Sequence, residues 1–221
     1  MSENKIQIFR PFGPSIAKIT MPIDLVDNLN DYVEKTIIDK KKSKELDHGN
    51  RLAGNVKQEF KLESEFIKSS GLLNFLGTSS SKWIEVTQNK KIKKFNISAS
   101  WIVRQYKTEY NPIHHHGGHL SGVGYLKLPK HFGTTKQEVK KNNYNGTLSL
   151  IHGNKMFDSN STFNIIPKVG EFYLFPHYLM HTVYPFYDSD EERRSISFNA
   201  TIDDDIYNVY GFVRFADEIV D

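Results

Sequence analysis

The run Tyr110-Asn-Pro-Ile-His114-His115-His116-Gly-Gly-His119-Leu-Ser-Gly-Val-Gly-Tyr125 crowds four of the chain's nine histidines into six positions. On an extended chain, residues i and i+2 point to the same side. His114 and His116 can therefore grip one ion while His115 points the other way. Gly117 and Gly118 permit a turn and a close backbone approach. Residues 120–128 then alternate as a strand does. Taken alone, the cluster leaves three readings open: a catalytic metal site, a structural zinc site, or a polar surface turn.

Two later segments bear on that choice. Phe175-Pro-His177-Tyr-Leu-Met-His181-Thr-Val-Tyr-Pro-Phe186 offers His181 at the start of a strand candidate, with His177 as a rival expected to be exposed in a turn after Pro176. In a jelly roll, strands distant in sequence lie side by side, so His181 can reach His114. The second segment is Arg193-Arg-Ser-Ile-Ser-Phe-Asn199. On a strand, Arg193, Ser195, Ser197 and Asn199 share one face and Arg194, Ile196 and Phe198 the other. An inward Arg193 with Ser195 two positions on makes a carboxylate clamp, a bidentate guanidinium plus a hydroxyl. The alternative for either arginine is an ion pair with the acidic loop 188–192, and Arg194 is assigned to that role at the surface.

The surrounding pattern is rich in β-structure. Strand candidates fall at 96–106, 120–128, 147–152, 162–166, 171–175, 181–185, 193–202 and 209–215, separated by Gly, Pro and Asn turns. Strands at this density point to a sandwich or jelly roll, not a sheet with helical crossovers. Before them, Ile23, Val26, Leu29, Val33 and Ile37 recur at helical spacing. A helix is expected from 22 to 39, with Pro22, Asp24 and Asp27 favouring its start and Lys40–Lys42 as a solvated, fraying end. A second helix is expected over 63–76, burying Leu62, Phe66 and Leu73. The polar stretch 130–145 reads as an exposed loop. The architecture expected is mainly β with N-terminal helices: a cupin-like double-stranded β-helix with helices packed on one sheet. One domain is expected over 1–221, with 1–94 as helical support and 95–215 as the β core.

The chain has 221 residues, 38% of them apolar and 13% aromatic, enough for a sizeable core. Its 29 Lys+Arg against 26 Asp+Glu leave a net charge of +3, which gives no strong signal for nucleic acid or a membrane surface. No apolar run approaches a membrane span. The first residues, MSENKIQIFRPFG, lack the basic and apolar regions of a secretory signal, so a cytoplasmic protein is expected. The absence of cysteine excludes disulfides, thiolate metal sites and cysteine nucleophiles.

Read in order, His114-x-His116, Ser121-Gly-Val-x-Tyr125, Gly170-Glu-Phe-x-Leu-Phe-Pro176, His181 and Arg193-x-Ser195 resemble the Fe(II)- and 2-oxoglutarate-dependent oxygenases. They are most similar to a prolyl-hydroxylase-like group common in tailed phages and marine bacteria. That group also carries segments like Trp101, Tyr110-Asn-Pro, Pro129, Phe175-Pro, Pro185 and Phe198-Asn199, and a weaker likeness reaches Leu52-Ala-Gly-Asn-Val56. The resemblance implies Fe(II) on His114, His116 and His181. It implies 2-oxoglutarate with its distal carboxylate on Arg193 and Ser195, and Tyr125 and Tyr106 nearby. Ascorbate is an accessory reductant and dioxygen the oxidant. The broad superfamily uses two His and one carboxylate, whereas the second position here is His116, with His119 as the alternative ligand. The implied reaction is hydroxylation of an unidentified prime substrate, a protein side chain such as proline or a small molecule. Trp101, Tyr106, Lys107, Tyr110 and the loop 130–144 are candidates for the mouth. Two rival classes are a cupin-like metalloenzyme that does not use 2-oxoglutarate and a non-enzymatic jelly-roll binding module. A phage-encoded enzyme would work in the cytoplasm of its bacterial host.

Overall fold

The computed structural model describes residues 6–9, 13–135, 137 and 139–208. The strand expected at 209–215, and with it the end of the expected β core, lies outside the described residues.

Short strands and helices alternate first: β1 (Gln7–Phe9), β2 (Ile16–Thr20), α1 (Ile23–Ile38), α2 (Lys40–Glu45), β3 (Gln58–Lys61), α3 (Ser64–Ser69) and α4 (Leu72–Gln88). Eight strands follow: β4 (Phe95–Gln105), β5 (Asn111–His114), β6 (Leu120–Lys127), β7 (Leu148–Ile151), β8 (Thr162–Ile165), β9 (Glu171–Pro176), β10 (Met180–Val183) and β11 (Arg193–Ile202), with α5 (Asp204–Tyr207) after them. Together with β1, β2 and β3 they build two antiparallel sheets, a large one in the order β1-β2-β9-β6-β11-β4-β3 and a small one in the order β5-β10-β7-β8. The chain crosses repeatedly between them from β4 onward. This is the expected double-stranded β-helix.

Strand alternation sorts the side chains of the large sheet into two cores. Ile196 and Phe198 of β11 and Phe172 and Leu174 of β9 face outward against Val26, Leu29 and Val33 of α1 and Phe75 and Leu76 of α4. The inner face meets the small sheet through Tyr125, Phe175, Leu148, Leu150 and Ile165. Each such side chain removed from water contributes roughly 1.5–3 kcal/mol before entropy is counted. Gly122 of β6 lets the outer layer close. A Cβ there would stand 2.7 Å from the rings of Phe172 and Phe198 and from the Tyr173 carbonyl.

The strands expected between residues 96 and 202 form with small shifts at their ends, and α1 forms as expected. Several details differ. Ile23 is 66% exposed, and Leu25 takes the buried place. Lys40–Lys42 do not fray. Asp39 accepts hydrogen bonds from the backbone N–H groups of Lys41 and Lys42, both at 3.0 Å, and starts α2. The helix expected over 63–76 is two helices broken at Gly71, whose φ of 86° suits glycine. Leu73 is exposed, and Ile67, Leu72 and Phe75 are buried instead. Three strands, β1, β2 and β3, come from the part expected to be helical and extend the large sheet at both edges.

Candidate active site

β5 and β10 are neighbours in the small sheet, and their register places His114 directly opposite His181. His116 lies just beyond β5. Its backbone N–H donates to the His177 carbonyl at 3.0 Å, and His177 Nδ1 donates back to the His116 carbonyl at 2.9 Å. The rings of His114, His116 and His181 each offer one nitrogen, and these nitrogens lie within 4.8 Å of one another. Nε2 of His181 is 3.0 Å from Nε2 of His116. Two nitrogens held about 2.1 Å from one ion on adjacent positions stand about 3 Å apart, so the spacing fits shared coordination.

Backbone carbonyls fix the tautomers. His114 Nδ1 donates to the Pro112 carbonyl at 2.7 Å and His181 Nδ1 to the Leu179 carbonyl at 2.8 Å. A carbonyl only accepts, so Nδ1 carries the proton and Nε2 keeps its lone pair. Burial lowers the pKa of all three rings. His181 falls to about 4, by burial and then by His114; His116 falls to about 2, by burial and then by His181 and His114; His114 falls as well, mainly by burial. They are neutral at pH 7, as metal ligation requires.

The three rings line a cavity of about 190 Å³ that also receives Arg193, Ser195, Trp101 and Glu59. Arg193 is 1% exposed. Its Nε donates to the Gly146 carbonyl at 3.3 Å, and its guanidinium carbon lies 5.2 Å from the centroid of the Tyr125 ring. Tyr125 pairs in register with Ser195. Arg193 Nη2 and the Tyr125 hydroxyl are both buried without a hydrogen-bond partner. Leaving such donors unmet costs about 1–3 kcal/mol each, more for a charged one. A carboxylate accepts from both. The donor set therefore fits a 2-oxo dicarboxylic acid reaching from the histidines to Arg193.

The alternation of β11 is as expected, with Arg193, Ser195 and Ser197 inward. Arg194 does pair with the acidic loop, but in the interior. It is 1% exposed and bonds Glu192, Glu34 and Asn30, tying α1 to the sheet. Tyr106 is not beside Arg193. Its hydroxyl joins Arg104 at 2.7 Å and Glu192 at 3.4 Å, in the cluster that Arg194 also enters. His119 leaves the metal group: its Nδ1 accepts from the Ile202 N–H at 3.0 Å and its ring stacks on Tyr207. His177 is half-buried, not exposed, and bonds Tyr207 through Nε2. Among the described residues, Lys107, Tyr110 and the loop 130–144 do not line the cavity. Its wall is made by residues 51–53, Glu59 and Asn111. The Leu52-Ala-Gly-Asn-Val56 segment was visible in the sequence, but Glu59 carried no local signal beyond alternation with Phe60.

Comparison with solved structures places this arrangement among known folds. The chain superposes on the viral collagen prolyl hydroxylase vCPH of Paramecium bursaria Chlorella virus-1, a 2-oxoglutarate complex, with 14% identity over 84% of this chain and 94% of that one and a TM-score of 0.54. For a Pseudomonas putida prolyl-4-hydroxylase the figures are 14% identity, 85% and 91%, and 0.56. For HygX of Streptomyces hygroscopicus, with nickel and 2-oxoglutarate bound, they are 9% identity, 84% and 81%, and 0.52. At these identities the likeness establishes the fold. No curated protein matches the sequence. Residues 99–199 match the family model described as "Putative 2OG-Fe(II) oxygenase". That span runs from Ala99 to Asn199, under half of the chain, and includes the three clustered histidines, Tyr125, Arg193 and Ser195, so the β core of this chain is similar to the 2-oxoglutarate- and Fe(II)-dependent oxygenase family.

Proposed function

We propose that His114, His116 and His181 hold Fe(II), that Arg193 and Ser195 with Tyr125 bind the distal carboxylate of 2-oxoglutarate, and that the protein hydroxylates a peptide or protein side chain. The observation that carries this reading is the convergence on one cavity of three neutral imidazoles and a buried guanidinium whose Nη2 has no hydrogen-bond partner. The metal with the 2-oxo acid supplies oxidative decarboxylation, in which one atom of dioxygen enters succinate and the other a substrate C–H bond. The protein's part is positioning. The Pro112 and Leu179 carbonyls aim two of the imidazoles. Arg193 offers two-pronged recognition of a carboxylate, and the buried setting strengthens that pairing.

His116 stands where the broad superfamily carries a carboxylate, so this ligand face has no charge of its own. Such a face binds Fe(II) less tightly than a charged triad. A prolyl residue is the substrate named for two of the solved relatives, which supports looking among peptides first. The whole chain is read as one unit, with the helices of 1–94 bracing the outer face of the core. Ferrous chemistry suits the reducing cytoplasm, that of a bacterial host where a phage carries the protein. Among the described residues, no helix is long and apolar enough to cross a membrane.

The test is turnover of 2-oxoglutarate. Full-length protein with Fe(II), ascorbate and air should convert 2-oxoglutarate to succinate and add 16 Da to members of a peptide library. A metal-loaded protein that consumes no 2-oxoglutarate would favour a cupin-like enzyme of another kind. Failure to retain metal would favour a binding module.

A further inference from the structure

The cavity has a polar group at the end away from Arg193. β3 pairs with β4, β4 with β11 and β11 with β6, in a register that sets Glu59, Val103, Ser195 and Tyr125 in one row across the sheet. Strands lie about 4.8 Å apart, so Glu59 is two strands, or about 10 Å, from Ser195. Glu59 and Arg193 line the same cavity. The Glu59 side is therefore open to a second molecule when a dicarboxylate spans the histidines and Arg193.

Glu59 is 2% exposed, and neither carboxyl oxygen has a hydrogen-bond partner. The backbone of Gly54 packs tightly over it: a Cβ there would stand 2.8 Å from Glu59 Oε1 and 3.2 Å from Asn111 Nδ2. Arg51 lines the same cavity without pairing with Glu59. Burial, and then the like charge of Asp47, push its carboxyl up to about 7. A buried acid without a partner is costly to the fold, and such groups concentrate where a ligand supplies the partner. A cation placed beside it favours the ionised form, and the carboxylate then has only acceptor sites. An ammonium or guanidinium brings both the donors and the opposite charge, whereas a neutral N–H leaves the charge unbalanced.

We infer that Glu59 binds a cationic nitrogen, ammonium or guanidinium, on the prime substrate and so selects the carbon presented to the three histidines. This rests on the oxygenase reading above. It makes a basic side chain the expected substrate, in place of proline.

The probes are the N-acetyl amides of lysine, arginine, norleucine and proline. Full-length protein is loaded with Mn(II) and 2-oxoglutarate without oxygen, and relaxation of probe protons by Mn(II) reports entry. The lysine or arginine probe should bind at least ~10-fold tighter than norleucine or proline, a difference of about 1.4 kcal/mol. In Glu59→Gln the preference should fall below ~2-fold, with 2-oxoglutarate affinity unchanged. Equal binding of charged and neutral probes, or a preference that survives in Glu59→Gln, overturns the inference. Glu59→Gln and Glu59→Leu each remove an unpaired acid, so the Tm should hold or rise, and a fall in both would make Glu59 structural and also overturn it. If the wild type binds no 2-oxoglutarate, the oxygenase reading fails by itself. The same probes on protein with Mn(II) alone then decide the charge preference.

Discussion

His114 and His181 face each other across the β5–β10 pair, with ring centroids 4.3 Å apart. Their separation is set by a backbone ladder, not by a loop, and each ring is aimed by a carbonyl two residues before it. His116 completes the group from the turn that follows, and the Trp101 ring stands 5.4 Å from it, edge to face.

Replacing His116 should separate it from its near neighbour His119. His116→Ala is expected to lower Mn(II) affinity at least ~10-fold, because a ligand is lost. His119→Ala should keep full affinity while lowering the Tm, since His119 accepts from the Ile202 N–H and stacks on Tyr207. Metal content after equilibrium dialysis of the two variants is the measurement. Retention by His116→Ala would remove that ligand from the site.

Arg193→Lys keeps a positive charge but loses the planar fork. With charge-assisted hydrogen bonds worth about 1.5–3 kcal/mol, the KM for 2-oxoglutarate should rise roughly 10- to 100-fold. Metal content should not change. Succinate formation against 2-oxoglutarate concentration gives the KM, and an unchanged value would remove Arg193 from cosubstrate binding.

The response to pH follows from the buried rings. Protons compete with a metal only near or below a ligand's own pKa. His181 sits at about 4 and His116 at about 2, and His114 is also below its ordinary 6.5. Mn(II) affinity should therefore be nearly flat from about pH 7.5 to about pH 6, where ordinary imidazoles would already lose it. Metal-free protein should lose stability as the pH falls below 6.5, because the unfolded chain takes up protons that the folded rings refuse. Calorimetric titration with Mn(II) and thermal melts across this range check both. A steep loss of affinity between those two pH values would contradict the first.

Glu192 gives a second, more acidic transition. Its burial opposes ionisation, but hydrogen bonds from Arg194 and Arg104 hold its carboxyl at about 2, below the ordinary 4.5. A depressed carboxylate stabilises fully above 4.5 and ceases to do so as the pH falls through about 2. Glu192→Gln should flatten this part of the acid-unfolding curve. It should also cost about 3–5 kcal/mol at neutral pH, since two arginines lose a buried partner. Urea unfolding at pH 7 and pH 3 would show whether the acid-dependent part is missing in the variant.

The β core was legible because its alternation is strong. Arg193, Ile196 and Phe198 could be assigned to opposite faces from sequence, and the structure keeps those faces. The pairing of His114 with His181 was also open to inference, because His181 starts a strand and strands distant in sequence lie side by side in a jelly roll. The edge strands were not. Ile16–Thr20 and Gln58–Lys61 are too short to show a period, and their partners lie far along the chain. Tyr106 was misplaced because β4 ends at Gln105, so alternation no longer says which way the next side chain turns. Glu59 was missed for a related reason. The pattern Gln58-Glu-Phe-Lys61 sets it opposite Phe60, but only the register with Val103 shows that its face is the cavity.

The most direct test of the site is an anaerobic titration of the full-length protein, first with Fe(II) and then with 2-oxoglutarate, following visible absorption. A charge-transfer band typical of an Fe(II) 2-oxo acid chelate should grow to one equivalent of iron, vanish in His181→Ala, and require ~10-fold or more added 2-oxoglutarate in Arg193→Lys, matching a loss of about 1.4 kcal/mol or more. A wild-type protein that binds iron yet develops no such band, or a band that His181→Ala leaves intact, would contradict the assignment of these residues.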